Sequence, residues 1–309
     1  MTFSKVIQRV PRPFSETLGA ETAQRFGDHS NEVREFIKGV SGTSPYLKSL
    51  IEKEHMWLNE VLSKSGDVLQ PTITSVPLDK MISNSLRQAK RRVALWSAFC
   101  DLASVWSLEK VTNTLTDFAN HAVSSALKVA VSRQAQRGKI PGFHADEDPD
   151  TAGIFVLAMG KMGAGELNYS SDIDLICLFD DSRFEPSDFY DARSAFIKAA
   201  REMYSTLSDL TDEGYVFRTD LRLRPDPAVT PICMGTDAAE RYYESLGRTW
   251  ERAAYIKARV ASGDLEAGNA FLRRIQPFVW RKHLDFTTIE DAHNMRLAIR
   301  DHKGLGGPI

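Results

Sequence analysis

Hydrophobic residues recur at two different spacings along the chain, and these spacings divide it into helical and strand-forming parts. Between Ser15 and Lys64, apolar side chains such as Leu47, Leu50 and Ile51 lie three or four positions apart. That spacing places them on one face of a helix and predicts amphipathic helices. Glycine and proline residues interrupt the pattern, so we expect several short helices instead of one long one.

Residues 78–136 form the longest helical block that the sequence predicts. The stretch Leu86–Gln134 contains no glycine or proline, and its apolar residues keep the helical spacing. Within it, Lys90–Arg92 is a run of three positive charges. Such a run can contact phosphate, but on a helix it more often forms a solvated face, and we predict the solvated face.

A different pattern follows residues 137–152, a polar segment with glycine and proline that we interpret as a linker. Ile154–Met159 is a short apolar run typical of a buried strand, and a second apolar run ends at Phe179. A Gly-rich turn that contains Gly160 and Gly163 separates the two runs.

The segment Tyr215–Pro227 alternates strictly between apolar and polar residues, which predicts a strand. Arg218, Asp220, Arg222 and Arg224 then lie on one face of it. Two interpretations of this face are open. It is either one side of a metal and phosphate site, or the solvent-exposed face of an edge strand.

The remaining patterns are helical, at Phe189–Leu210, at Asp237–Ala261 and from Asp264 to about Lys303. We therefore predict an α+β fold, in which a small mixed sheet with flanking helices is inserted between an N-terminal helical region and a C-terminal helical segment. The final run GLGGPI predicts a chain cut short within a domain. The predicted parts are a helical region at 1–136, a linker at 137–152, a catalytic domain at 153–262 and the start of a truncated helical domain at 263–309.

Composition limits the classes of function. The 309 residues carry a net charge of −2, so there is no electrostatic case for binding nucleic acid or an anionic membrane. No apolar run reaches the length of about 18 residues that a membrane span needs. The N-terminal residues lack the apolar stretch of a secretory signal. The 3 cysteines are scattered, which predicts reduced thiols in a cytoplasmic protein.

The candidate chemistry lies at Asp172 and Asp174, which flank Ile173 at the start of the second apolar run. Side chains alternate along a strand, so both carboxylates point to the same face and repel each other. A divalent cation between them would relieve this repulsion. Asp220 would supply a third carboxylate from the later strand.

The glycines of the turn do not form a standard nucleotide-binding motif. Gly160, Gly163 and Gly165 follow the order G-x-x-G-x-G, whereas the dinucleotide motif is G-x-G-x-x-G, and no Gly-Lys-Ser/Thr of a P-loop is present. What remains is a turn whose backbone N–H groups can approach a phosphate group closely.

Taken together, strand, Gly-rich turn, Ser170-Ser171, Asp172-Ile173-Asp174 and a later Asp220 resemble the nucleotidyltransferase superfamily typified by polymerase beta. The resemblance extends further, because four blocks are similar to signature blocks of the glutamine synthetase adenylyltransferase family. These blocks are RRVALWSAFCDLASVWSLEKVTNTLTDFA, MGKMGAGELNYSSDIDLICLF, YVFRTDLRLRPDP and GRTWERAAYIKARVASGD.

Family membership implies a bifunctional enzyme with two nucleotidyltransferase domains. The N-terminal one removes AMP from an adenylylated tyrosine of glutamine synthetase by phosphorolysis and yields ADP. The C-terminal one attaches AMP from ATP, and PII signalling protein and glutamine bias the two activities. Ser170-Ser171 before the acidic pair resembles the N-terminal version. We therefore predict the deadenylylating half.

Three alternatives to this prediction are considered. In the first, the chain adenylylates glutamine synthetase with ATP. In the second, it is a non-catalytic module that docks glutamine synthetase or PII. A nucleotidyltransferase that acts on nucleic acid is disfavoured by the near-neutral charge.

The resemblance also implies roles for individual residues. Asp172, Asp174 and Asp220 match the catalytic carboxylates that hold two magnesium ions. Ser170 and Ser171 match the phosphate-binding turn, together with Gly160 and Gly163, and we predict that Arg222 and Arg224 bind phosphate or have a structural role. For Glu251, Lys257 and Arg259, which lie in the last block, helix packing and substrate contact are both open.

Overall fold

The computed structural model describes residues 2–65, 68–79, 81–280 and 297. Contacts divide the chain into two compact units. Unit 1 comprises the residues up to Ala122 together with Gly165–Ser171 and Thr206–Val216. Unit 2 comprises Val123–Ala164, Asp172–Ser205 and the described residues from Phe217 onward. The domain boundaries expected from the sequence stay a prediction.

Unit 1 is helical, as the spacing of its apolar residues predicts. Ser15 caps the first helix by accepting a hydrogen bond from the Leu18 N–H, and Ser44 does the same for Leu47. The helices are α1 (Glu16–Gln24), α2 (Asn31–Thr43), α3 (Pro45–Lys53), α4 (His55–Leu62), α5 (Leu69–Thr74), α6 (Ile82–Leu102) and the N-terminal part of α7 (Leu108–Gln136).

The charge run Lys90–Arg92 on α6 is not a solvated face, so that prediction is wrong. The Nε atoms of Arg91 and Arg92 lie 2.7 and 2.8 Å from the carboxylate oxygens of the buried Glu54. The Arg91 guanidinium group also contacts Glu213 at 2.5 Å. Lys90 Nζ donates to the Val216 carbonyl at 2.8 Å. The three positive charges therefore pair with carboxylates or donate to a backbone carbonyl within unit 1.

Arg87, also on α6, is almost completely buried, with 1% of its surface exposed. Its guanidinium group donates to the carbonyl oxygens of Gly214 at 2.6 Å, Ser83 at 2.8 Å and Thr206 at 3.2 Å, and also to that of Asp209. Burying a charge is costly unless hydrogen bonds replace its hydration. These carbonyl groups supply the replacement and tie the segment after residue 206 to α6.

Unit 2 contains a mixed sheet, which confirms the predicted α+β fold class. β1 lies in the centre and pairs antiparallel with β2 on one side and β5 on the other. β3 and β4 both pair in parallel with β2. The strands are β1 (Ile154–Ala158), β2 (Ile173–Phe179), β3 (Thr219–Asp220), β4 (Cys233–Gly235) and β5 (Arg259–Gly263).

Helices cover the sheet and complete the core of unit 2. Phe271 packs against Phe155 of β1, with ring centroids 6.1 Å apart. Tyr243 and Tyr255 join the same core, and the Tyr255 hydroxyl donates to that of Tyr243 at 3.0 Å. The helices are the C-terminal part of α7, α8 (Gly160–Gly163), the greater part of α9 (Phe189–Ser208), α10 (Thr236–Ser245), α11 (Thr249–Tyr255), α12 (Leu265–Arg274) and α13 (Gln276–Val279).

Two sequence predictions for unit 2 are wrong in their extent. The strand predicted over Tyr215–Pro227 is reduced to Thr219–Asp220, because the chain turns directly after Asp220. The helical pattern predicted over Asp237–Ala261, with an irregularity expected at Gly247, is two helices, α10 and α11, which are separated around Gly247. The pattern ends at Tyr255, and β5 follows it. The unpaired edge of β1 accounts for β5, since pairing there satisfies the backbone groups of both strands.

The helical pattern predicted from Asp264 onward is confirmed by α12 and α13 as far as Val279. Its continuation beyond Trp280 lies outside the described residues, apart from Leu297. Of the helices in the part of the chain that the structure describes, none combines the length and apolar character that a membrane span needs.

Candidate active site

Asp172 and Asp174 stand at the start of β2, on the face that the sequence predicts. Ile173 and Leu175 are buried, at 0% and 1% exposure, whereas Asp174 is partly buried and Asp172 is exposed. The Met159 N–H donates to the Asp174 carbonyl at 2.9 Å and joins the end of β1 to the start of β2. The alternation of side chains thus separates the carboxylates from the core.

Asp220 comes next to this pair because β3 runs parallel to β2. Ile173 pairs with Thr219, and Asp174 pairs with Asp220. The Ile173 N–H donates to the Arg218 carbonyl at 3.0 Å, which closes the pairing. Two predicted site carboxylates therefore occupy matching positions on neighbouring strands.

The carboxylates differ in electrostatic environment. Burial raises the pKa of Asp174, and the charges of Asp220 and Asp172 raise it further. Hydrogen bonds from the Arg222 side chain lower the pKa of Asp220. The negative charge of Asp174 is thus less compensated than that of Asp220.

Two arginines pair with the carboxylates. Arg218 Nε lies 2.5 Å from Asp172 Oδ1, and Arg222 Nη2 lies 2.5 Å from Asp220 Oδ2. The sequence placed Arg218 on the same face as Asp220 without assigning it an individual role. Both guanidinium groups are largely exposed, so these pairs add little to stability.

Arg224, the other arginine predicted to bind phosphate, makes different contacts. Its guanidinium group donates to the Leu221 carbonyl at 2.6 Å and the Pro227 carbonyl at 2.9 Å. Its Nε is buried and has no hydrogen-bond partner among the described residues. These contacts hold the turn after β3 and favour the structural role for Arg224.

The glycines of the turn after β1 are required by close approach. Gly160 has φ +53°, and a Cβ there would lie 2.6 Å from Asp174 Oδ2. At Gly163, a Cβ would lie 2.7 Å from the Ala158 carbonyl and closer still to the carbonyl of Lys257. The short helix α8 therefore packs directly against the acidic end of β2 and the segment that precedes β5.

Ser170 and Ser171 belong to a separate turn in unit 1. Asn168 Oδ1 accepts hydrogen bonds from the Ser170 N–H at 3.1 Å and the Ser171 hydroxyl at 2.8 Å. The turn directly precedes Asp172 in the chain. Asn168 is the residue that shapes it.

The residues of this site lie in a part of the chain that the model of a known protein family matches. The family model described as glutamate-ammonia ligase adenylyltransferase matches residues 34–274, a range that includes every candidate site residue. The chain belongs to this family. The resemblance seen in the sequence blocks is confirmed.

Curated relatives show the same relationship. A bifunctional glutamine synthetase adenylyltransferase/adenylyl-removing enzyme of Bradyrhizobium sp. is 42% identical over 283 residues, which cover 88% of this chain and 28% of the relative. Relatives of the same name are 41% identical in Bradyrhizobium diazoefficiens and 38% identical in Agrobacterium fabrum, where the match covers 94% and 89% of this chain. In each of those two, the match covers 29% of the relative. The chain therefore spans less than a third of the length of these family members.

Glu251, in the last block of the resemblance, is a buried packing residue of the family fold, with 1% of its surface exposed. Its Oε2 accepts a hydrogen bond from the Arg248 N–H at 2.7 Å and caps the start of α11. Burial raises the pKa of its carboxyl group. These contacts favour helix packing over substrate contact for Glu251.

The donor set at this site suits magnesium, because Asp172, Asp174 and Asp220 offer only carboxylate oxygens. Among the described residues, however, no group of three or more Asp, Glu, His or Cys side chains converges closely enough to hold one ion. Arginine side chains pair with Asp172 and Asp220 instead. The residue types fit a divalent cation, and the magnesium site stays a prediction.

Proposed function

We propose that this chain contains the nucleotidyl-transfer centre that removes AMP from an adenylylated tyrosine of glutamine synthetase. The main support is the pairing of Asp174 with Asp220 beside a glycine turn, with Asp172 on the same strand end. The names of the relatives, which combine adenylyltransferase and adenylyl-removing activities, supply the substrate class.

The reaction is a displacement at phosphorus. An oxygen of inorganic phosphate forms a bond to the phosphorus of AMP, the bond between that phosphorus and the tyrosine oxygen breaks, and the products are ADP and free tyrosine. The tyrosine oxygen takes up a proton. Magnesium, when bound, would neutralise charge on the reacting phosphate groups.

The residues of the chain have distinct parts in this proposal. Asp172, Asp174 and Asp220 would hold the two magnesium ions. Arg222, which lies beside Asp220, binds the incoming phosphate, because a guanidinium group matches the geometry of phosphate oxygens. The Gly160–Gly163 turn contacts the phosphates of the nucleotide, and the same role for Ser170-Ser171 stays a prediction from the sequence.

Two further candidates have support of their own. The relatives' names include the adenylyltransferase activity, so AMP attachment from ATP is the second candidate. The Ser170-Ser171 pair before Asp172 favours the phosphorolytic direction through its resemblance to the N-terminal domain. Because the chain spans less than a third of its relatives, docking to glutamine synthetase or PII without turnover is the third.

A single paired assay tests the proposal. The chain is incubated with magnesium, phosphate and glutamine synthetase that bears radiolabelled AMP, and in parallel with labelled ATP and unmodified enzyme. We expect labelled ADP in the first reaction. AMP attachment in the second reaction alone would overturn the proposed direction, and binding to either protein without transfer would support the docking candidate.

The carboxylates provide the control for chemistry. Asp172→Asn with Asp174→Asn should abolish ADP formation, and chelation of the metal should have the same effect. Asp146→Asn, at an exposed carboxylate in the 137–152 segment, should leave the rate unchanged. Full activity of the double variant would exclude the acidic pair from catalysis.

A further inference from the structure

The side chain of Arg259 contacts the glycine turn. Arg259 opens β5, where it pairs with Ala158, the last residue of β1. Its Nη2 donates to the Met162 carbonyl in α8 at 3.0 Å. The short helix is therefore held by a cation at the end where its carbonyl groups emerge, which is the favourable end for a positive charge.

The backbone of the same segment also supports α8. Gly163 packs so closely against the Lys257 carbonyl that a Cβ at this position would overlap it. Lys257 and Arg259 thus contact α8 through a carbonyl and a guanidinium group, respectively. A four-residue helix has too few internal hydrogen bonds to fix its own position, so these external contacts matter.

The position of α8 determines the environment of Asp174. Gly160 begins the helix, and a Cβ at this position would lie 2.6 Å from Asp174 Oδ2, so any larger residue would have to displace the carboxylate. A movement of α8 would change the gap between the turn and the carboxylate that we place at the centre of the reaction. Arg259 therefore affects the site indirectly, because it contacts the turn that lies beside Asp174.

We propose that Arg259 is a positioning residue, which holds the Gly160–Gly163 turn in register with Asp174 so that the turn can receive the phosphate groups of the nucleotide. The expected effect on the reaction rests on the proposed nucleotidyl transfer. The contact between Arg259 and α8 does not, because the Arg259–Met162 distance and the close packing of Gly163 support it. It gives Arg259 a role in the site, which the sequence left open between packing and substrate contact.

Hydrogen exchange followed by mass spectrometry or NMR tests the contact directly on the 309-residue chain. The amides of Gly163 and Ala164 donate within the turn, to the Met159 and Gly160 carbonyls at 2.8 and 3.1 Å. We expect Arg259→Gln to speed their exchange about tenfold, because a charge-assisted hydrogen bond is lost. Arg259→Lys, which keeps the charge and a donor, should recover part of the protection.

Arg252→Gln is the matched control. Arg252 Nε donates to the Phe278 carbonyl at 3.1 Å, so this variant also removes one hydrogen bond from an arginine to a backbone carbonyl of unit 2. It should leave exchange at Gly163 and Ala164 unchanged. If both glutamine variants speed exchange equally throughout the unit, Arg259 is an ordinary stabilising residue and the inference fails.

Kinetics test the consequence for the reaction. Below the melting temperature of each variant, Arg259→Gln should lower kcat/KM about 10²-fold, mainly through KM for the phosphate-bearing substrate, while Arg252→Gln keeps the wild-type value. Wild-type kcat/KM in Arg259→Gln would overturn the positioning role. If the unaltered chain transfers AMP in neither direction, the proposed function fails, and the exchange at Gly163 and Ala164 still decides whether Arg259 holds the turn.

Discussion

Asp174 and Asp220 are partners in the parallel pairing of β2 and β3, yet their carboxyl groups respond in opposite directions to their surroundings. Burial raises the pKa of Asp174, whereas the Arg222 side chain lowers the pKa of Asp220. Asp220 is thus paired with the Arg222 guanidinium group, whereas the negative charge of Asp174 is less compensated. This asymmetry is what a bound divalent cation would remove.

If the two carboxylates act on the same ions, their substitutions should not be additive. We expect Asp174→Asn and Asp220→Asn each to lower the rate of AMP transfer by about 10³-fold, and the double variant to be no slower. The melting temperature of Asp174→Asn should stay the same or rise, because like-charge repulsion is removed. Initial rates and thermal unfolding check this, and losses that multiply in the double variant would show independent roles.

Gly160 allows a prediction with an internal reference. Gly160 and Gly138 both have positive φ, +53° and +60°, but a Cβ at Gly138 meets nothing within 4 Å. Replacement by alanine should therefore cost about 1 kcal/mol of stability at Gly138 through backbone strain alone. Gly160→Ala should cost at least as much and also lower AMP transfer about 10²-fold, because the new methyl group displaces Asp174.

Urea unfolding and initial rates separate these two effects. Gly138→Ala should keep the wild-type rate at a temperature where it is fully folded. Equal rates in the two alanine variants would mean that the closeness of Gly160 to Asp174 has no importance for the reaction.

Arg222 and Arg224 should differ in what their loss affects. Arg222 is exposed and its guanidinium group pairs with Asp220, so Arg222→Gln should raise KM for phosphate roughly tenfold and leave the melting temperature unchanged. Arg224 holds the Leu221 and Pro227 carbonyls, so Arg224→Gln should lower the free energy of unfolding by about 1–3 kcal/mol and leave KM unchanged. The reverse pattern in kinetics and unfolding would exchange the two assignments.

Glu251 predicts a pH dependence of stability. Because burial raises its pKa above the ordinary value of 4.5, the folded chain keeps the carboxyl proton to higher pH than the unfolded chain does. Ionisation therefore disfavours the folded state as pH rises through the folded pKa. Glutamine does not ionise, and its side-chain oxygen can still cap the Arg248 N–H.

The free energy of unfolding of Glu251→Gln, minus that of the wild type, should therefore increase between about pH 4.5 and about pH 7. Urea titrations at both pH values measure it. Glu244→Gln, at an exposed glutamate of α10, provides the comparison. A difference that shrinks with rising pH would mean that the ionised form of Glu251 is the one that the fold stabilises.

Arg87 is expected to be among the most sensitive positions of unit 1. Arg87→Met leaves several partly buried carbonyl groups without their donor and should cost about 3 kcal/mol or more in free energy of unfolding. Arg9→Met removes an exposed guanidinium group that also donates to carbonyls, those of Leu102 and Asp101, and should cost less than about 1 kcal/mol. Similar unfolding midpoints in urea for the two variants would contradict the importance of burial.

The sequence predicts the parts of this fold that depend on the local pattern alone. The faces of Asp172 and Asp174 follow from the two-residue period of a strand, and Ile173 and Leu175 are buried as that period requires. The helices α6 and α7 follow equally well from an apolar stripe without glycine or proline.

The segment after Asp220 shows why alternation is not sufficient. Its apolar and polar residues alternate as in a strand, but the Arg222 N–H donates to the Asp220 side chain at 2.9 Å and Arg224 donates to nearby carbonyls. These local hydrogen bonds satisfy the backbone without a neighbouring strand and favour a turn. The sequence period does not distinguish the two outcomes.

Contacts between residues that are far apart in the sequence account for the other features that the sequence does not predict. Arg87 lies in a helical stripe where a charge would ordinarily face water, but the carbonyl of Gly214 that it contacts is 127 positions further along the chain. Similarly, β5 forms because β1 offers it an edge, although WERAAYIKARV has the spacing of a helix. Tertiary pairing overrides local preference at both places.

The way in which the two units share the chain has a practical consequence for dissecting this protein. Unit 1 includes Gly165–Ser171 and Thr206–Val216, both of which come after the 137–152 segment that looks like a natural place to divide the polypeptide. A protein fragment that stopped there would bring Arg87 into its interior without the carbonyl groups of Thr206 and Gly214. Expression of either side alone would therefore yield an incomplete module, and limited proteolysis at 137–152 should leave two pieces that remain associated until denaturant separates them.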